Sequence, residues 1–340
     1  MGRFLIFISY IGSHYSGMQV QNVAGRPRPS VKTVSGVLEK CLKMLSPQNE
    51  VKIVTSSRTD AEVHALRSSV HVDLVHRNFP DKEFDPRLLT VFLNRRLMKL
   101  EEPIRVLEIR RVNDDFHCRY QARNRSYMYR LAVVREELPD GQHFWDLPMT
   151  PFEYHRSYFR FPPFDMNLFL ATAEVLSGTH FYNAFTTPTA LRGRTREPIR
   201  TVQVSVKRGS AFLQEYQPYM SENLEFWEIH VQSWTFLYRM VRRMVGAMLD
   251  VARGKQDIEH IKAALSDPRY VIPPPGISSV PGYALFLKDV EYCPEDLQYT
   301  PGEKSSEDLL DTETEKQAAK KEVSSTGSRE EPTDNGCGEK

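Results

Sequence analysis

The ten residues Ser56-Ser57-Arg58-Thr59-Asp60-Ala61-Glu62-Val63-His64-Ala65 lie between two apolar runs and gather two carboxylates, an arginine, a histidine and three hydroxyl groups. Ionisable groups concentrated between strands mark the kind of loop on which proteins place their chemistry. An ionised carboxylate such as Asp60 can act as a nucleophile and form a covalent intermediate. Ser56 or Ser57 with His64 and Asp60 would instead suggest a hydrolase, but no Gly-x-Ser-x-Gly elbow surrounds either serine. His64, His117 and His180 are too scattered along the chain for a metal site, and Cys41, Cys118, Cys293 and Cys337 form no C-x-x-C pair. Taken alone, an Arg-Thr-Asp triplet is more often a surface turn whose aspartate caps the next segment.

The triplet does not stand alone. Upstream is Tyr10-Ile-Gly-Ser-His-Tyr-Ser-Gly17-Met-Gln-Val-Gln21, and downstream are Asp115-Phe-His-Cys-Arg119 and Arg125-Ser-Tyr127-Met-Tyr129-Arg130. Further on come Gly178-Thr-His180 with Phe185, Arg200-Thr201, Phe236-Leu-Tyr-Arg-Met-Val-Arg242-Arg-Met-Val-Gly246 and Tyr283-Ala-Leu285-Phe-Leu287. In order and position these segments resemble the motifs of the TruA family of tRNA pseudouridine synthases, and the animal tRNA pseudouridine synthase-like branch most closely.

That resemblance implies isomerisation of uridine to pseudouridine in tRNA or tRNA-like RNA, without cofactor or metal. Uracil must leave C1′, turn, and rejoin through C5. Asp60 is then the nucleophile, and Arg242 the cation that keeps it ionised against a pocket that would otherwise protonate it. Tyr127 stacks on the extruded uracil and is the candidate group for the C5 proton. Arg58 fills the vacated space or grips phosphate, and Leu285 walls the pocket. His64, Arg119 and Arg125 fall to substrate binding, as do Arg192, Arg194 and Arg200 in a basic stretch suited to phosphate; a solvated surface loop is the alternative for that stretch. The family further implies a homodimer and, for the animal branch, a mitochondrial location, with the cytoplasm as the alternative because no presequence is evident. The sequence departs from the motifs at Glu62 and Ala284, where the family has glycine, and at Met18, where it has tryptophan. Glu62 lies two residues past the nucleophile and adds negative charge there, which keeps open a second reading: an RNA-binding homologue with weak or lost catalysis.

These groups need a scaffold. Residues 3–10 read as a buried strand, and Val34, Val37, Leu38, Cys41, Leu42 and Leu45 recur at helical spacing behind a cap at Thr33 or Ser35. Strands are expected at 51–55, 68–75, 104–111 and 125–134, with a helix at 86–97. Past a connection at 136–165, the periodicity gives a helix at 165–176, strands at 201–207 and 224–233, helices at 236–252 and 258–265, a proline turn at 273–275 and a strand at 284–290. A helix over 236–252 would set Arg239 and Arg242 one turn apart on a single face. The fold class is mixed α/β. By resemblance it comprises two similar subdomains, 1–135 and 166–293, with joined antiparallel sheets, outer helices and a cleft between them.

Composition agrees with a globular domain large enough to need no disulfide: 340 residues, 40% hydrophobic and 11% aromatic. No stretch approaches the roughly 20 apolar residues of a membrane span. The net charge of +1 hides an asymmetry. Residues 301–340 carry 11 acidic and 6 basic groups, which leaves 39 basic and 33 acidic, a net of +6, in residues 1–300. A basic body suits a phosphate-rich partner. From residue 294 the chain turns to Glu, Lys, Ser and Thr, a composition expected to be disordered.

Overall fold

Among the described residues, ten strands join in one sheet. The computed structural model describes residues 1–20, 22–23, 26–27, 31–135, 150–191, 199–216, 223–274 and 276–300. The strands are β1 (Gly2–Tyr10), β2 (Val54–Thr55), β3 (His64–Leu74), β4 (Ile104–Val112), β5 (Ala122–Val134), β6 (Tyr158–Arg160), β7 (Gly178–Phe181), β8 (Ile199–Arg208), β9 (Leu224–Ser233) and β10 (Leu285–Tyr292). The spine of the sheet runs β4-β1-β3-β10-β5-β9-β8-β7, with β2 flanking β3 and β6 flanking β5. The longer helices are α1 (Val34–Lys43), α2 (Pro86–Lys99), α3 (Met166–Val175), α4 (Met240–Ala252) and α5 (Ile258–Ser266). All pairings in the sheet are antiparallel except β3 with β10 and β5 with β6.

Strand parity decides which side chains meet the helices. In β1, Phe4, Ile6 and Ile8 join the main core with Val70 and Val72 of β3, while Leu5 and Phe7 face the opposite side and pack with Val112, Phe116 and Cys118. Because both faces are covered, β1 is apolar at nearly every position rather than alternating. α1 buries Val34, Val37, Leu38, Cys41 and Leu42, and Thr33 caps it by accepting from the Gly36 N–H. α2 begins at Pro86 behind Asp85, whose carboxylate accepts from the N–H groups of Arg87 and Leu88.

β10, the last strand, lies at the middle of the sheet. It runs parallel to β3 (Phe286 opposite His64) and antiparallel to β5 (Leu285 opposite Tyr129). β5, grouped by sequence with the first half, therefore sits beyond this seam beside β9. Residues 294–299, expected to open the tail, instead belong to the compact unit that ends at Tyr299. Leu297 packs on the Leu5 cluster, and Arg111 lies over the Tyr299 ring at 4.1 Å. Arg192, Arg194, residues 136–149 of the connection and the 301–340 tail lie outside the described residues.

The other correction concerns α4. It starts at Met240 rather than at 236, because Arg239 adopts a left-handed backbone at φ 56° and halts the helix there. Arg239 thus precedes the helix instead of sharing a face with Arg242. Among the described residues no helix is long and apolar enough to cross a membrane.

Candidate active site

The loop between β2 and β3 is held on three sides. Ser56 fixes its start by donating through both backbone N–H and Oγ to the Ser69 carbonyl, at 3.1 and 2.8 Å. Residues 10–18 clasp its middle: Met18 N–H donates to Thr59 O, Glu62 N–H donates to Tyr15 O, and the Tyr10 hydroxyl lies 2.8 Å from Thr59 Oγ1. Tyr15 is itself anchored by donating to the buried Glu102 carboxylate at 2.8 Å. Glycine is required where these backbones meet. A Cβ at Gly12 would stand 2.0 Å from Val63 O, and one at Gly282 would stand 2.5 Å from Ala61 O. The glycines at 12 and 282 thus let two flanking segments press directly on the loop that carries Asp60.

Asp60 opens a turn closed by Val63 N–H to Asp60 O at 3.3 Å, and Glu62, its third residue, has φ 68°. A turn with positive φ at its third position favours glycine there, which gives a physical reason for the family's glycine. Here a glutamate occupies the left-handed conformation, with its side chain exposed.

The third support is a strap, residues 278–283, laid between α4 and the loop. A Cβ at Gly246 would meet Ser278 O at 1.9 Å, so α4 admits the strap only because that position is glycine. The buried Asp250 accepts from Ser278 N–H and Oγ. Arg242 donates from Nε to Val280 O at 2.7 Å, which aims its terminal nitrogen at Asp60 Oδ2, 2.9 Å away. Arg239, from just before the helix, reaches the same oxygen at 3.9 Å. Two cations from the second half of the chain converge on one carboxylate of the first.

Tyr127 lies on the helix-facing side of β5, buried, with the Phe236 ring edge-on at 5.1 Å. Burial and the Asp60 charge push its phenol up to about 12, against the opposing pull of Arg125 and Ser57. The hydroxyl therefore keeps its proton at neutral pH. Leu285 is buried opposite Tyr129 at the head of β10. Arg58 is exposed beside the nucleophile position, as is Arg119 at the turn before β5. Arg200 lies half-buried in β8, opposite His180.

Two residues expected to meet RNA are interior and bonded to the protein. His64 accepts at Nδ1 from Gly12 N–H, so Nε2 carries the proton and donates to the carbonyls of Tyr283 (2.8 Å) and His155 (2.9 Å). Burial pushes its pKa down. Arg125 donates from Nε to Ser57 Oγ, and from its terminal nitrogens to the carbonyls of Ser56, Arg119 and Trp234. Its burial lowers its pKa, and its donors tie the nucleophile loop to the ends of β5 and β9. Sequence reasoning named Gly12 and Gly17 only as parts of a motif. It missed Val280, Gly282 and Asp250, whose role appears once the strap is in place. No His, Cys, Asp or Glu cluster fit for a metal occurs among the described residues.

Residues 172–293 match the family model described as tRNA pseudouridine synthase. Over most of its length the chain is also similar to individual proteins. It is 33% identical to the tRNA pseudouridine synthase-like 1 of Xenopus laevis, an alignment spanning 85% of this chain and 91% of that one. It is 34% identical to the Homo sapiens protein of that name, over 85% and 90% of the two chains. With the tRNA pseudouridine synthase A of Streptococcus suis (strain 98HAH33) it shares 29% identity over 86% and 99%. A sheet of this mixed kind, motif glycines pressed on the Asp60 loop, and identity sustained along nine-tenths of an animal relative have one source: the chain belongs to the tRNA pseudouridine synthase family.

Proposed function

We propose that this chain converts uridine to pseudouridine in tRNA or tRNA-like RNA, with Asp60 as a covalent nucleophile and no cofactor. The observation that carries the reading is the Arg242–Asp60 contact at 2.9 Å beside the buried Tyr127 ring. The guanidinium pairs with the carboxylate and orients it for attack. The target uridine is flipped from the RNA stack, and its uracil rests against Tyr127. Asp60 bonds C1′ as the N1–C1′ bond breaks, the free base turns, C5 displaces the Asp60 carboxylate from C1′, and the C5 proton leaves while N1 gains one. Tyr127, protonated at neutral pH, serves as stacking face and hydrogen-bond partner and meets the C5 proton only through a relay or late in the reaction. Arg58, Arg119 and Arg200 supply phosphate contacts. The working form is a homodimer in the mitochondrion, tested by sedimentation and by localisation of the tagged chain.

A second reading, an RNA-binding homologue without turnover, is favoured by the single observation that Glu62 takes the glycine position at φ 68°. Single-turnover release of tritium from RNA labelled at uracil C5 separates the two. Release by the natural chain that disappears in Asp60→Ala, with tRNA still bound, supports the synthase. Tight tRNA binding with no release by the natural chain favours the second reading.

A further inference from the structure

We infer that the cleft at the ends of β5, β9 and β8 is a second nucleobase site, which seats an unstacked base of the bound RNA apart from the flipped uridine. This rests on reading the chain as an RNA-modifying enzyme. The cleft, of about 660 Å³, is lined in part by Asn124, Arg200, Gln203, Gln232 and Trp234. Binding pockets for small groups span roughly 300–1,000 Å³, so a base with its sugar fits.

Three features identify the occupant. Trp234 is 65% exposed, yet its indole N–H donates to Ala122 O at 3.0 Å, which fixes the ring while leaving its surface open. A pre-set exposed indole is a stacking platform. Gln203 and Gln232 are register partners across β8 and β9, so their side chains rise together on the sheet face opposite the main core. Neither side-chain amide hydrogen-bonds another described residue. Two adjacent amides offer the paired donors and acceptors that match the edge of an unpaired base, and Arg200 adds charge for phosphate. An apolar protein side chain in the same place would leave both amides desolvated and unpaired, which is costly.

The cleft is also wired to the nucleophile loop. The Arg125 guanidinium donates to the Trp234 carbonyl and, from the same group, to Ser56 O and Ser57 Oγ. Phe236, two residues past Trp234, packs on Tyr127. A base seated on Trp234 therefore belongs to the stretch of RNA that delivers the target uridine, and it is read through contacts separate from those that hold uracil.

The test uses the full chain carrying Asp60→Ala, to prevent turnover, with Trp145→Phe and Trp227→Phe so that Trp234 is the sole indole; the probe is a total tRNA pool. Trp234 fluorescence is expected to be quenched along the same isotherm that filter binding gives. Trp234→Ala should weaken tRNA binding by roughly five- to 150-fold, the range that stacking of one base spans. Trp234→Tyr should restore most of it, and the surface pair Gln203→Ala with Gln232→Ala should lose several-fold with unchanged thermal unfolding. Unquenched fluorescence on saturation, or wild-type affinity in both the Trp234→Ala and the glutamine variants, overturns the second site while leaving the synthase reading intact. Unchanged affinity with a shift from dimer to monomer in sedimentation assigns the cleft to a second copy and likewise overturns it. A natural chain that binds no tRNA sinks the functional reading, and the second site with it.

Discussion

Replacing Glu62 by glycine separates two effects that the structure places on one residue. The first is backbone strain. A residue with a side chain in the left-handed region costs on the order of 1–2 kcal/mol, while the freedom that glycine adds to the unfolded chain takes back about 0.4–1 kcal/mol. The net gain for Glu62→Gly is then about 0.5–1 kcal/mol, because φ is 68° and the turn is pinned by the Tyr15 carbonyl and by the contacts of Gly12 and Gly282. The second effect is charge. The Glu62 side chain is exposed two residues from Asp60. A phosphate about 10 Å away in water feels on the order of 0.4 kcal/mol of repulsion from it, roughly a factor of two in affinity. Glu62→Gln removes only the charge. It should tighten tRNA binding about twofold at low salt, with the gain disappearing at high salt and stability unchanged. Glu62→Gly should show the same gain in binding, raise the unfolding free energy in urea, and raise single-turnover tritium release above that of the glutamine variant. A glycine variant less stable than the glutamine variant would refute the strain argument. Equal tRNA affinity of Glu62→Gln and the natural chain at low salt would refute the charge argument.

Three further outcomes follow from particular contacts. Gly282→Ala puts a Cβ 2.5 Å from Ala61 O; such overpacking costs about 1–3 kcal/mol, and tritium release should fall by more than urea unfolding does, because the displaced carbonyl adjoins Asp60. Arg58→Ala should leave thermal unfolding unchanged, since the side chain is exposed, and weaken tRNA binding with a salt slope reduced by about one. His71, buried where its Nδ1 accepts from Cys118 N–H, is pushed down to about 4. Its folded pKa is depressed, so the unfolded chain takes up the proton first as pH falls below about 6.5, and stability present above that pH is lost down to about 4. A shift of that size corresponds to the order of 3 kcal/mol. Urea unfolding of His71→Gln should depend less steeply on pH across this window, and parallel curves for the two chains would remove His71 as the cause.

How much of this was legible in the sequence depended on whether the signal was local. α1 and α2 are readable because their buried residues recur at helical spacing behind Thr33 and Asp85, and β1 because its apolar run is short and unbroken. The start of α4 was not, since Phe236-Leu-Tyr-Arg has helical periodicity and only tertiary contacts turn Arg239 to φ 56°. The strap of residues 278–283 has no period at all. Its function comes from what lies on either side of it, α4 through Gly246 and Asp250, and the nucleophile loop through Gly282. That β10 closes the sheet at its centre was equally hidden, because a strand's place in a sheet is set by the topology of the whole chain and not by its own residues.

Arg125 carries the general lesson. An arginine beside an aromatic motif in a basic protein reads as an RNA contact, yet strand parity already argued otherwise. Arg125, Tyr127 and Tyr129 alternate along β5, so an inward Tyr127 obliges Arg125 to point inward too. A buried guanidinium is tolerated only when its donors are met, and here Ser56, Ser57, Arg119 and Trp234 meet them. The same logic bears on Glu62. Its charged group remains in water, so the substitution is borne by the backbone alone, and the loop keeps its turn because glycines at 12, 17 and 282 hold it from outside. Strain at position 62 is thus opposed by contacts that do not involve its side chain, and for that reason the Arg242–Asp60 pairing survives the loss of the family's glycine.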